Sequence, residues 1–275
     1  MLGDLGHGAG LSNGVKMPWI GLGVFRIADG PQVEQVVQWA LETGYRSVDT
    51  AAVYGNEGGL GRAIRASGVP REEIFVTTKV WNADQGYEQT LHAFDKSLKR
   101  LGMDYIDLYL IHWPLRDSTR DTWRALEKLY RDGRVRAIGV SNFMVHHLRA
   151  LMEDTEIVPM VNQVEFHPYL CQPSLLEFCG RHAIQVQGWG ILMQGKMLAV
   201  PEVIALAENY RKSPAQLLLR WTVQHGVVGI AKSSHQARIE ANARIFDFEI
   251  ASADMDRLDA LDRDLRIGPD PDSFA

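Results

Sequence analysis

Eight times along this chain, a short run rich in Val and Ile gives way to a longer stretch whose apolar residues recur at helical spacing. The runs are Trp19–Phe25 (WIGLGVF), Gly44–Ala51 (GYRSVDTA), Glu73–Val80 (EIFVTTKV) and Tyr105–His112 (YIDLYLIH), then Arg134–Ser141, Met160–Phe166, Ile184–Gly190 and Val227–Ser233. They lack strict alternation, as parallel strands covered on both faces do. Among the intervening stretches, Pro31–Glu42 puts Val33, Val36, Val37, Ala40 and Leu41 on one face. Tyr87–Arg100 lines up Leu91, Phe94 and Leu98, and Thr122–Tyr130 lines up Trp123, Leu126 and Leu129. Gly44, Gly68, Gly102, Gly133 and Gly226 follow such turns as helix stops. The alternation reads as repeated βαβ units.

Two architectures fit: an open doubly wound sheet or a closed (β/α)₈ barrel. The nucleotide-binding open sheet needs G-x-G-x-x-G where a strand turns into a helix. Gly21-Leu22-Gly23 and Gly59-Leu60-Gly61 both lack the third glycine, and the second lies within a helical stretch. Eight alternations in 275 residues suit the barrel, whose usual size is about 250 residues. The expected fold is therefore α/β, a (β/α)₈ TIM barrel forming a single domain over residues 1–275, preceded by a short N-terminal β-hairpin. The first dozen residues, rich in Gly, read as a loose lead-in.

Composition narrows the function. The formal charge is −5, with both signs mixed and no Lys/Arg block, which argues against nucleic acid or a membrane surface as partner. Cys171 and Cys179 are too few for a disulfide framework or a four-thiolate zinc site. The N-terminus lacks the build of a signal peptide, and no run reaches the ~18–20 apolar residues of a membrane span. A cytoplasmic monomer is expected, acting on a small molecule.

In such a barrel the working residues sit at the C-terminal ends of the strands. Asp49 closes the second run, Tyr54 follows in the same loop, Lys79 ends the third and His112 ends the fourth. Any one of them alone reads as a cap, a packed ring, a solvated cation or a structural imidazole; four converging on one mouth do not. A phenol is a poor proton donor at neutral pH unless a neighbouring cation stabilises its phenolate. Lys79 is such a cation, Asp49 would hold it charged, and His112 could donate to a carbonyl oxygen or help relay the proton. The set suits protonation of an oxygen on which charge is building, as in carbonyl reduction. No metal is expected: His112, His146, His147 and His167 show no ligand spacing.

The hydride then has to come from a cofactor. After the eighth strand, Lys232 and Ser233 precede a helix carrying Arg238, a phosphate cradle in which two cations favour NADP over NAD. Trp189 could stack on a nicotinamide ring.

At these residues the sequence resembles the aldo-keto reductases, most of all the branch of bacterial glyoxal/methylglyoxal and 2,5-diketogluconate reductases. The resemblance runs from LSNGVKMPWIGLGVF through GYRSVDTAAVYGNE, TTKVWN, LYLIHWP, IGVSNF, NQVEFHPYL and WGILMQG to AKSSHQARIEAN and RIGPDPD. It implies a catalytic tetrad of Asp49, Tyr54, Lys79 and His112 with Tyr54 as proton donor. It also implies an NADPH site in which Ser141, Asn142 and Gln163 hold the carboxamide and Trp189 stacks beneath the ring. Lys232, Ser233 and Arg238 would take the 2′-phosphate and Asn242 the adenine, with Asp49 and Leu192 also counted among the cofactor contacts. Phe25, Trp81, His112 and Trp113 would line the carbonyl pocket. Gly190-Ile191, Ala231 and Ala241 depart from the family pattern. The rival readings are a Schiff-base lyase with Lys79 as nucleophile and a nucleotide-sensing regulatory subunit.

Overall fold

A computed structural model describes residues 4–274. Two short strands, β1 (Gly8–Gly10) and β2 (Lys16–Pro18), pair antiparallel as the expected hairpin. The lead-in is thus partly ordered rather than loose. Asn13 fixes its turn, accepting the Val15 N–H and donating to the Arg136 carbonyl, while Leu11 and Met17 are buried.

Eight parallel strands then close a barrel: β3 (Ile20–Gly23), β4 (Ser47–Asp49), β5 (Phe75–Val80), β6 (Ile106–Ile111), β7 (Val135–Ser141), β8 (Val161–Glu165), β9 (Gln185–Trp189) and β10 (Val228–Ala231). β10 pairs with both β9 and β3, so no edge is left open. Each expected run holds one strand. The strands are shorter than the runs because the run ends are spent on turns: Gly44 is the left-handed cap of α1 (Pro31–Thr43) at φ 104°.

The other helices are α2 (Glu57–Ala66), α3 (Tyr87–Leu101), α4 (Thr119–Arg131), α5 (Val145–Met152), α6 (Pro173–Arg181), α7 (Pro201–Asn209), α8 (Pro214–Gln224), α9 (Gln236–Ala243) and α10 (Ser252–Asp259). All five apolar residues assigned to the inner face of α1 are buried, as are Trp123, Leu126 and Leu129 of α4. Helix α3 is turned from its expected stripe. Its buried line is Thr90, Ala93, Phe94, Ser97 and Leu101, while Leu91 and Leu98 are half-buried. Small inward residues let α3 lie close to its neighbours, and their hydroxyls stay satisfied on Asp84 O and Arg100. Gly61, in the rejected Gly59-Leu60-Gly61 motif, serves the same contact. A Cβ there would collide with the Leu101 carbonyl, so this glycine serves helix packing.

After α10 the chain returns over the barrel as a strap. Arg263 N–H and Leu265 N–H donate to the Tyr169 carbonyl, and Ile267 N–H and Gly268 N–H donate to Glu165. Phe274 ends against Trp113, with ring centroids 4.6 Å apart. Among the described residues no helix is long and apolar enough to cross a membrane. Both cysteines are free thiols, and burial pushes each up to about 12.

Candidate active site

The strand ends bring the four tetrad positions to one mouth. Asp49 is the last residue of β4, Lys79 lies near the end of β5, and His112 follows β6 directly. Tyr54 closes the 3₁₀ turn Ala52–Tyr54 after β4. Lys79 Nζ donates to Asp49 Oδ1 at 2.7 Å and to the Thr50 carbonyl at 2.8 Å. The cation lies 5.3 Å from the centre of the Tyr54 ring, which meets the His112 ring edge-on at 5.8 Å.

Burial sets the protonation states. It pulls the Lys79 ammonium below its ordinary pKa, and the Asp49 charge opposes that shift. It raises the Tyr54 phenol, with the Asp49 charge adding to the rise, so the hydroxyl is protonated at neutral pH. It drives His112 well below the ordinary imidazole range, assisted by the Lys79 charge. His112 is therefore neutral and able to hydrogen-bond, whereas a charged acid at that position is disfavoured.

Asp49 also reaches away from Lys79. Its Oδ2 accepts from Gln163 Nε2 at 2.7 Å, and the same amide donates to Gln187 Oε1 at 2.8 Å. Asn142 ties three more strand ends together. Its amide donates to the His112 carbonyl and to Ser141 Oγ, and its Oδ1 accepts from Trp189 Nε1 at 3.0 Å. It does so from a left-handed backbone, φ 64°, a conformation that Asn tolerates better than most residues. The carbonyl oxygens of Asn142 and Gln163 each keep lone pairs for a further donor.

Aromatic rings form the rim. Phe25 lies 4.9 Å from Tyr54, Trp81 meets His112 edge-on at 5.2 Å, and Trp113 stacks beyond His112 at 6.5 Å. Across the barrel, Lys232 follows β10 and Arg238 sits in the first turn of α9. Both are exposed, and among the described residues neither makes an ion pair. Ser233 Oγ accepts the His235 N–H and shapes the turn into that helix; Asn242 is buried in α9 and Leu192 half-buried after β9. A Cβ at Gly23 would sit 3.9 Å from Lys232 Cβ, and Gly23 pairs with Asp49, so the Lys232 rim and the tetrad share one end of the barrel. The departure at Gly190 fits its place, for φ is 74° there.

Three residues of this mouth went unpredicted. Gln187 completes the amide chain from Asp49. Phe274 adds a ring from the far end of the sequence, where no local pattern could place it. Glu165 is the informative omission, because a carboxylate inside the buried run MVNQVEF has to find partners. It finds His167 Nε2 at 2.7 Å and the Ile267 and Gly268 N–H groups at 2.7 and 2.9 Å. Burial alone would raise its pKa, but these three bonds outweigh burial and hold the carboxyl below its usual range. His146 and His147, far in sequence from the strap, meet its Asp272.

The model of the family described as "Aldo/keto reductase family" matches residues 19–263. Glyoxal reductase of Bacillus subtilis (strain 168) is 59% identical over 264 residues, covering 96% of this chain and 96% of that protein. An aldo-keto reductase from a Medee basin deep-sea metagenome library superposes with a TM-score of 0.94 at 46% identity, covering 96% of this chain and 98% of the other. The Bombyx mori aldo-keto reductase in complex with NADP gives a TM-score of 0.88 at 35% identity, covering 96% and 95%.

Proposed function

The chain belongs to the aldo/keto reductase family, and from that membership we propose that it reduces aldehydes and reactive dicarbonyls to alcohols with NADPH. The observation that carries the reading is the buried Lys79–Asp49 ion pair beneath the Tyr54 ring.

The residues present fit a nicotinamide dinucleotide. Lys232 and Arg238 offer two cations without ion-pair partners among the described residues at the start of α9, where helix N–H groups favour an anion; a phosphomonoester on the ribose would use both. Asn142, Ser141 and Gln163 present amide and hydroxyl groups for a carboxamide, next to the flat indole of Trp189. Buried Gln187 Nε2 and His112 Nδ1 lack hydrogen-bond partners among the described residues. Asn242 would take the adenine, and Leu192 would flank the cofactor. The Bombyx mori aldo-keto reductase in complex with NADP supports the same cofactor. When bound, the reduced nicotinamide supplies the hydride.

The chain's own residues then do the rest. Phe25, Trp81 and Trp113 shield the carbonyl from water, which strengthens every charge interaction at the mouth. Neutral His112 orients the carbonyl oxygen. Tyr54 donates its phenolic proton to that oxygen as negative charge builds there, and the Lys79 ammonium stabilises the phenolate left behind. Asp49 favours the charged form of the ammonium against its complete burial. The bonds of Nζ to Asp49 and Thr50 favour this charge-stabilising role over that of a Schiff-base nucleophile. The glyoxal reductase relative supports small dicarbonyls as substrates.

Tyr54→Phe keeps the ring and removes the proton. NADPH binding, followed by quenching of protein fluorescence, should be unchanged. Turnover of methylglyoxal should fall by roughly 10²–10⁴, the range for a general acid; wild-type turnover in this variant would overturn the proposal.

A further inference from the structure

The strap meets helix α5 at a side-chain cluster outside the tetrad. His146 and His147 stand in the first turn of α5, and Asp272 lies in the strap two residues before Phe274. Asp272 Oδ1 is 2.9 Å from His146 Nε2 and 3.4 Å from His147 Nε2. The three donor atoms all lie within 4.8 Å of one another. Zinc–nitrogen and zinc–oxygen bonds of about 2.0–2.1 Å at tetrahedral angles set neighbouring ligand atoms roughly 3.3 Å apart. The cluster thus already approximates three corners of such a site.

A second observation points to a missing partner. The His147 side chain is only 9% exposed, and its Nε2, facing Asp272, is buried without a hydrogen bond among the described residues. The two imidazole rings lie side by side with centroids 4.0 Å apart, an arrangement with no direct hydrogen bond between them.

We propose that His146, His147 and Asp272 bind one divalent transition cation of the zinc class, which clips the C-terminal strap to helix α5. Two imidazole nitrogens and one carboxylate suit Zn²⁺, Ni²⁺ or Cu²⁺ and not the oxygen-seeking Mg²⁺ or Ca²⁺. Water completes the coordination on the exposed side of His146. Binding has one local cost. The Met144 N–H now donates to His147 Nδ1 at 3.1 Å. An imidazole that coordinates through Nε2 carries its proton on Nδ1, so this single bond is released and the part-buried amide turns to solvent.

The cation site does not depend on the proposed reaction, but its consequence does. Fixing Asp272 also fixes Phe274 against Trp113, which holds the strap closed over the carbonyl pocket and slows substrate entry and product release.

The test uses the full chain freed of any histidine tag, titrated with Co²⁺ alone. The expected result is a visible ligand-field band that saturates at one cation per chain and is bleached by Zn²⁺. His146→Ala and Asp272→Asn alter exposed side chains, so the fold should survive both. Each should weaken binding by more than about tenfold, the loss produced by removing a mere outer partner of a ligand. No band, or a band equally strong in both variants, overturns the site. Zn²⁺ should lower wild-type methylglyoxal turnover and leave His146→Ala turnover unaffected; unchanged wild-type turnover overturns the strap-closing role.

Discussion

Lys79 and Asp49 form an ion pair sealed inside the barrel mouth, Nζ to Oδ1 at 2.7 Å, with the lysine side chain wholly buried and the aspartate nearly so. Taking two charges out of water costs several kcal/mol per ion, and their attraction offsets this only when the remaining donors and acceptors are also satisfied. Here two of the three ammonium protons go to Asp49 and the Thr50 carbonyl, and Gln163 Nε2 donates to the second carboxylate oxygen. Such a pair is weak evidence for stability. Its value lies in presenting a fixed positive charge beneath the Tyr54 ring.

Separating those two roles gives the first prediction. Asp49→Asn strands a buried ammonium, which should cost about 3–5 kcal/mol of unfolding free energy. Adding Lys79→Met removes the stranded charge, so the double variant should be more stable than Asp49→Asn alone. Both should be inactive as reductases. Denaturant unfolding of wild type and these two variants checks this, and a double variant no more stable than Asp49→Asn would contradict it.

His112 carries the second prediction, a pH dependence. Its imidazole pKa lies well below the ordinary 6.5 in the folded chain, from burial and then the Lys79 charge. Just below pH 6.5 the unfolded chain binds a proton that the native chain refuses, so stability falls as pH falls. The slope from this group rises toward about 1.4 kcal/mol per pH unit as the unfolded imidazole becomes fully protonated. His112→Asn should remove about 1 kcal/mol of the fall between pH 6.5 and about one unit lower. His147, also depressed by burial and by His146, contributes to both profiles and cancels in the comparison. An identical slope in the variant would mean His112 titrates normally.

These groups differ in how legible they were. The eight strands could be read because runs of Val and Ile buried on both faces are a local signal, and a barrel then converts strand ends into neighbours. Asp49, Lys79 and His112 follow from that geometry, with Tyr54 one turn beyond. The inner face of α3 was misjudged because apolar periodicity marks Leu91 and Leu98 as inward, while close packing selected the smaller Thr90, Ala93 and Ser97. Glu165 and Phe274 were invisible for a different reason: both act through the strap, and no spacing within the chain announces that residues 263–274 fold back over the mouth.

Cofactor choice yields the third prediction. Lys232 and Arg238 are exposed and lack ion-pair partners among the described residues, so replacing them leaves no stranded charge inside the fold. Lys232→Ala and Arg238→Ala should each weaken NADPH binding by roughly tenfold or more, since a charge-assisted hydrogen bond contributes about 1.5–3 kcal/mol. NADH binding should change little. Raising the salt concentration should weaken NADPH binding to wild type more than to either variant. Equal losses for both nucleotides would move the phosphate contact elsewhere.

The strap supplies the last prediction. Glu165 accepts from Ile267 N–H, Gly268 N–H and His167 while almost fully buried. Directly beside it, Gly268 lies so close to the indole that a Cβ there would sit 2.5 Å from Trp189 Cη2. Strap and indole therefore fix each other. Glu165→Gln keeps the shape but turns an N–H₂ group toward one of the strap amides, replacing an attraction with two donors face to face. It should cost about 2–3 kcal/mol in stability, the penalty for an unsatisfied buried partner of a charged group. Amide hydrogen exchange should speed up in residues 264–274 more than in the barrel strands. NADPH affinity should fall along with a change in Trp189 fluorescence, and Gly268→Ala should reproduce that spectral change while Glu165 remains intact. Accelerated exchange in the strap with unaltered fluorescence would show that the strap closes the mouth without setting the indole.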